Sequence, residues 1–217
     1  MEKTTVIQAL QELRKEKKRN FAQSIDLILN FKHLDLKKPE NHIELFLILP
    51  SGRGKENKVC ALVGPELADQ AEKVCNKAVQ EREFEKYAKD KKITKRLANE
   101  YEFFIAQANI MPQVATAFGR IFGPRKKMPN PKAGCIVPPK GNLQAIVDKL
   151  KKTVKVVAKE NAFVQVSVGT EAMKDDDLAE NILYIYNQVL HKLPEERNNI
   201  KNIFIKTTMG KPQHLAV

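Results

Sequence analysis

No apolar run in the 217 residues approaches the length of a membrane span. The start, Met1-Glu2-Lys3-Thr4-Thr5, passes directly into amphipathic sequence, without the apolar core and small-residue cleavage site of a signal peptide. Cysteine is scarce: Cys60, Cys75 and Cys135 are odd in number and show no metal-type spacing. Cys60, inside Val59-Cys60-Ala61-Leu62-Val63, reads as a small buried hydrophobe. No disulfide framework is expected, and the expected location is a reducing one, the cytoplasm. His33, His42, His191 and His214 are scattered without ligand spacing, so no metal site is expected. Asp175-Asp176-Asp177 fits the acidic start of a helix better than a metal cluster.

Gly52-Arg53-Gly54-Lys55 fails two nucleotide motifs. A phosphate loop needs glycine five residues before Gly54 and a hydroxyl residue after Lys55, where the chain has Leu49 and Glu56. The dinucleotide fingerprint needs a third glycine where Asn57 stands. No local catalytic set is visible either. The expectation is a protein without catalytic residues, cofactor, membrane association or small-molecule substrate.

What the chain has is positive charge, a net +12 with a pI near 9.5. Such an excess suits a polyanionic partner, because Lys and Arg release counterions from phosphates; a basic protein without such a partner is the alternative. The charge is uneven. Residues 1–50 carry 9 Lys/Arg against 7 Asp/Glu, residues 51–154 carry 21 against 11, and residues 155–217 carry 8 against 8. The excess thus concentrates in the middle.

Hydropathy patterning divides the chain in the same way. Val6, Leu10 and Leu13 predict a first helix, followed by Arg14-Lys15-Glu16-Lys17-Lys18-Arg19, five basic side chains in six residues. Ile25, Ile28 and Leu29 predict a second helix from about Ala22 to Lys32. Residues 42–49 predict a strand ended by Pro50. Beyond the flexible Ser51–Lys55 joint, strands and helices alternate: strands at Lys58–Val63, Lys77–Val79 and Phe103–Ala106, helices at Pro65–Val74, Glu81–Tyr87, Lys91–Glu100, Met111–Phe118 and Asn142–Lys152, with an irregular proline-rich loop over 123–141. Phe103-Phe104-Ile105-Ala106 is apolar throughout, as in parallel strands buried on both faces. The last part predicts strands at Lys155–Val157, Phe163–Val168 and Lys201–Lys206 and a long helix at Asp175–Leu193.

Neither outer part makes a domain alone. Together they supply four strands covered by helices on one side. The expected fold is therefore α/β: a discontinuous α+β domain of residues 1–52 and 155–217, with a three-layer, doubly wound α/β domain of residues 53–154 inserted in it. Two chain crossings make a hinge, with Gly52, Gly54 and Thr153 as its residues.

Four stretches carry a resemblance. They are Arg19-Asn20-Phe21-Ala22-Gln23-Ser24; Leu49-Pro50-Ser51-Gly52-Arg53-Gly54-Lys55; Phe103-Phe104-Ile105-Ala106-Gln107-Ala108 continuing through Ile110-Met111-Pro112 to Gly123-Pro124-Arg125-Lys126-Lys127-Met128-Pro129; and Thr207-Thr208-Met209-Gly210-Lys211-Pro212-Gln213. In this order they resemble the large-subunit ribosomal protein one family, in its archaeal and eukaryotic form. The resemblance implies the two-domain layout and an outer domain that binds an irregular rRNA stem at the stalk base. It implies a mobile stalk assisting release of deacylated tRNA from the exit site, and repression of the protein's own mRNA through a similar element. It implies a monomer within the ribosome.

The RNA contacts it implies are Arg19, Asn20, Phe21, Ser24, Gln165, Ser167, Gly169, Lys206, Thr208, Met209, Gly210 and Lys211. Gln165 stands where bacterial relatives have histidine, Asn202 where they have serine, and Lys126 where a loop glycine is common. Chemically, Phe21 suits packing on a base or ribose, Gly210 allows close backbone approach, and the Thr208 hydroxyl suits a 2′-OH. Read as residues alone, Phe21 staples a helix start, Thr208-Met209-Gly210 makes an ordinary turn, and the basic run is a solvated helix face. The resemblance turns each toward RNA. Two other classes remain: a nucleotide-dependent enzyme built on the doubly wound domain, which would bind nucleotide, and a general nucleic-acid chaperone, which would bind duplex DNA as tightly as folded RNA. The basic middle domain, through Lys91, Lys92, Lys95 and Arg96, is expected to attract tRNA backbone while the nearly neutral outer domain reads RNA shape.

Overall fold

The computed structural model describes residues 1–15, 19–139 and 141–215. In chain order the helices are α1 (Lys3–Arg14), α2 (Ala68–Val74), α3 (Phe84–Lys89), α4 (Lys91–Glu100), α5 (Met111–Phe122), α6 (Leu143–Lys152) and α7 (Asp175–Leu190). The strands are β1 (Ser24–Phe31), β2 (Ile43–Ile48), β3 (Val59–Val63), β4 (Lys77–Gln80), β5 (Phe103–Gln107), β6 (Ile136–Val137), β7 (Thr153–Ala158), β8 (Phe163–Thr170), β9 (Ile200–Thr207) and β10 (Gln213–Leu215). They form two compact units, Met1–Lys55 with Thr153–Val217, and Glu56–Lys152.

In the first unit β1 pairs antiparallel with both β8 and β9, and β9 with β10, giving the order β10-β9-β1-β8. Along β1, Ile25, Leu27, Leu29 and Phe31 are buried while Ser24, Asp26, Ile28 and Asn30 between them are not. Val164, Val166, Ile203 and Ile205 share the buried face. Helices α1, through Val6, Leu10 and Leu13, and α7, through Leu178, Ile182, Ile185 and Val189, close it in one core. Each such aliphatic side chain, once buried, contributes about 1.5–3 kcal/mol. The opposite face of the sheet carries no helix among the described residues.

This corrects the helix expected over Ala22–Lys32: the segment is a strand. Ile25 and Leu29 fit both periods, so they decide nothing. Leu27 and Phe31 fit only a two-residue period, and pairing on both sides with strands over 130 residues away outweighs the local pattern. The membership of the outer sheet changes with it. Strands β2 and β7 pair with each other, Ile43 opposite Ala158 through Ile48 opposite Thr153, and send Ile43, Leu47, Val154 and Val156 into the same core. Strands β1 and β10, neither of them expected, stand in the four-stranded sheet in place of β2 and β7.

In the second unit β4, β3, β5 and β6 lie parallel in that order. Every residue of β3 is buried, because helices cover both faces. Cys60, Leu62, Phe104 and Ala106 pack against Phe84, Tyr87, Leu97, Phe118 and Phe122 of α3, α4 and α5. Val59, Ala61, Val63 and Ile105 pack against Ala71 of α2 and Leu143, Val147 and Leu150 of α6. The aromatic side is dense, with Phe104 and Phe122 rings 4.2 Å apart and Phe84 edge-on to Phe118 at 5.3 Å. This is the doubly wound arrangement the alternation predicts, and the burial of Cys60 agrees with its reading as a hydrophobe. The loop expected over 123–141 hides β6, whose two residues pair with Ala106 and Gln107.

That loop is also tied down by its cations. Lys127 Nζ donates to the carbonyls of Ala98 and Tyr101 at 2.7 Å each, and Arg125 donates to Asn99. Both cations thus sit at the C-terminal end of α4, where the helix dipole favours them. Burial pushes the Lys127 ammonium down from its ordinary value. Lys126 between them adopts φ 55°, the left-handed region in which glycine is at ease.

Candidate nucleic-acid interface

The uncovered face of the outer sheet is read row by row from the strand register. The first row across β9, β1 and β8 is Lys206, Asp26 and Ser167. The second is His214, Phe204, Ile28 and Gln165, with the His214 ring edge-on to Phe204 at 5.3 Å. The third is Asn202, Asn30 and Phe163. Between Ile25 and Asp26 the register with β8 slips by one residue, a β-bulge that re-aims side chains beside the first row.

Above that row, two segments far apart in sequence are tied together. The Thr208 hydroxyl accepts from the Ser24 backbone N–H at 3.1 Å and donates to the Ser24 carbonyl at 3.2 Å, and the Thr208 N–H donates to the same carbonyl at 3.0 Å. The next N–H, of Met209, donates to Gln23 Oε1 at 3.1 Å, and Gly210 N–H closes the turn on the Thr207 carbonyl. Gln23 is buried, and its amide also donates to Glu171 Oε1 at 2.6 Å, while Glu171 N–H returns to the Gln23 carbonyl. The Arg14 guanidinium fixes the next stretch, donating to the Glu171 and Met173 carbonyls and pairing with Asp175 at 2.6 Å. On this framework two large apolar side chains are held out, Phe21 at 54% exposure and Met209 at 62%.

The structure therefore brings together Phe21, Ser24, Ser167, Lys206, Thr208, Met209 and Gly210 at one end of the sheet, with Gln165 exposed a row further down. Arg19, Asn20 and Lys211 are exposed beside them in sequence. Gly169 is different: it is buried, and a Cβ there would stand 2.4 Å from Leu178, so glycine serves packing against α7. Phe21 staples no helix start, since a strand follows it. In the basic run, Glu16, Lys17 and Lys18 lie outside the described residues, and Arg14 is committed to the 171–175 loop. Sequence reasoning missed Gln23, Glu171 and Asp26. Gln23 is invisible because its role is an amide bridging the Met209 backbone N–H and the Glu171 carboxylate, both distant in sequence. Asp26 is missed because a charge count looks for cations. Burial pushes the Asp26 carboxyl up from its ordinary value, partly opposed by the fields of Lys206 and Arg53.

Of the expected hinge residues, Gly52 has φ 70° and its carbonyl accepts from the buried Asn181 amide at 2.7 Å. Gly54, at φ 73°, passes so close to Thr170 that a Cβ would meet its hydroxyl at 2.5 Å. Thr153 is buried opposite Ile48.

Fold and face together define a class: a two-unit α/β protein whose outer sheet presents a polar, aromatic-edged face. Similarity to known proteins narrows it. The family described as Ribosomal protein L1p/L10e matches residues 13–211. The large ribosomal subunit protein uL1 of Methanothermococcus thermolithotrophicus is 42% identical over 216 residues, 99% of each chain. That of Pyrococcus horikoshii is 41% identical over 207 residues, 94% of this chain and 92% of its own. That of Methanothermobacter thermautotrophicus is 46% identical over 193 residues, 88% and 89%. The chain belongs to the ribosomal protein L1p/L10e family, in its archaeal form, and is not an enzyme.

Proposed function

We propose that this chain is a structural constituent of the large ribosomal subunit in the cytoplasm, and that its discontinuous outer domain binds the stalk-base rRNA. The observation that carries the reading is the Ser24–Thr208 junction, which builds one surface from segments 184 residues apart and holds Phe21 and Met209 out of it. Exposed apolar side chains on a rigid turn suit stacking on unpaired bases, with Lys206 and Arg19 at hand for phosphate. Thr208 acts through the turn: its hydroxyl proton is committed to Ser24, so it shapes the surface rather than donating to RNA.

The same surface binds a similar element in the protein's own mRNA and represses its translation. The inserted domain forms the moving part of a stalk that assists release of deacylated tRNA, which it meets through Lys91, Lys92, Lys95 and Arg96, all exposed on α4. Gly52, Gly54 and Thr153 form the anchored end of the hinge. The protein acts as a monomer within the ribosome.

The test is titration of the purified chain with a stalk-base rRNA fragment at several salt concentrations, against duplex DNA of equal length. Binding that persists in moderate salt, with losses on the order of 1–3 kcal/mol for Phe21→Ala and for Thr208→Val, is expected. Weak binding to both nucleic acids, steep in salt and indifferent to both substitutions, would overturn the reading.

A further inference from the structure

The inserted unit carries a hollow that binding of RNA by the outer sheet leaves unused. In a doubly wound sheet the usual ligand crevice lies outside the carboxyl ends of the strands where the strand order reverses, here between β3 and β5. That crevice is filled from within. The buried Gln107 side chain accepts from the Gly64 N–H at 2.9 Å and donates to Glu66 at 3.0 Å, and a Cβ at Gly64 would stand 3.1 Å from Gln107 Oε1. The cavity opens beside it instead, past the end of β4 and between α3 and α5, wholly within the inserted unit. Its volume is about 840 Å³, in the size range of ligand pockets. Phe84 and Ala88 of α3 and Pro112 and Ala117 of α5 make its walls largely apolar, and Glu81, Glu85 and Arg82 supply its charge.

The charge around this groove runs against its surroundings. Residues 65–90 carry seven Asp/Glu against five Lys/Arg, while the rest of residues 51–154 carries four against sixteen. Both carboxylates are open to a partner. Among the described residues the Glu81 carboxylate has none, and Glu85 meets only Lys89, at 3.6 Å on the exposed side of its own helix, a pair that contributes little. We propose that the groove is a docking site for a basic peptide segment of a partner protein. A lysine or arginine of that segment meets Glu81 and Glu85, and its apolar neighbours lie against Phe84, Ala88, Pro112 and Ala117. One long basic side chain serves both parts, with its alkyl stem on the apolar wall and its charged head on the carboxylates. Arg82 alone opposes it. The acidic rim repels phosphate, so neither nucleotide nor RNA fits. An alkyl polyamine satisfies the carboxylates but fills only a small part of the volume. The charges guide encounter and select against acidic segments, while the apolar wall holds what has docked.

The experiment titrates the full nitrogen-15-labelled chain with a short synthetic peptide alternating arginine and leucine, and separately with its glutamate–leucine counterpart, with spermidine and with ATP. Amide shifts locate and quantify binding. The basic peptide should give saturable shifts at Ala88, Thr116 and Ala117, and the acidic one none. Glu81→Lys combined with Glu85→Lys should weaken the basic peptide about ten-fold or more. Thr116→Trp, which fills the groove from α5 without changing its charge, should weaken it comparably, and Arg82→Glu should tighten it. All three substitutions fall at surface positions, and the amide spectrum of each variant reports directly that it is folded. No saturable shift at these amides would overturn the inference, as would peptide binding indifferent to both the charge reversal and the tryptophan. Saturation of the same amides by spermidine as tightly as by the peptide would make the groove a small-cation site, and saturation by ATP would make it a nucleotide site; either result rejects a docking site for protein.

Discussion

Asp26 makes stability depend on pH. Its carboxyl is raised in the folded chain, first by burial, so the folded state holds its proton more tightly than the unfolded state. Its contribution to stability is then fully present below the ordinary carboxyl range and is lost as pH rises through the folded value. Asp26→Asn, which mimics the protonated form, should melt higher than the wild type at neutral pH, and the difference should close on acidification toward the ordinary carboxyl range; scanning calorimetry across pH checks this. At Lys126 the left-handed backbone has a local cost, and Lys126→Gly should raise stability by about 0.5–1 kcal/mol in urea unfolding. Lys126 was legible in the sequence as a departure from a loop glycine. Asp26 was not, since nothing along the chain says that Lys206 and Ser167 flank it.

At the scale of elements, what the sequence revealed depended on length and on period. The helix α7 and the buried strands β3 and β5 were legible because one periodicity fits each. Strand β1 was not, because Ile25, Ile28 and Leu29 also trace a helical stripe. Strands β6 and β10, with two and three residues, exist only through their partners. The basic run after α1 was read as a unit, yet Arg14 belongs to a different one: it joins α1 to the loop before α7 and, through Glu171 and Gln23, stands behind the Met209 turn. Arg14→Met should cost on the order of 1–3 kcal/mol of stability in urea unfolding. Arg14→Lys should recover only part of it, since an ammonium cannot reach three acceptors as a planar fork does.

For the whole molecule, the discontinuous layout was readable from the shift in pattern near residues 50 and 154. The proposed RNA-binding face was not, because net charge points to the middle of the chain. If the inserted unit supplies general attraction and the outer unit supplies recognition, reversing Lys91, Lys92, Lys95 and Arg96 should leave rRNA affinity nearly unchanged while weakening tRNA binding. A large loss of rRNA affinity would reject that division. The pairing of Ile48 with Thr153 holds the two crossings side by side within the outer sheet pair. Replacing residues 56–152 by a short Gly/Ser linker should therefore leave a folded outer unit that binds the stalk-base fragment, testable by circular dichroism and titration.

The Ser24–Thr208 junction also has a consequence in time. During synthesis β1 emerges early and waits, through the making of the whole inserted unit, for β8 and then β9 to flank it. The turn that completes the surface emerges later still. A chain interrupted anywhere before that turn has no assembled surface, whatever else of it has folded. Completion of this face is thus a final event of synthesis, and an unfinished copy lacks it.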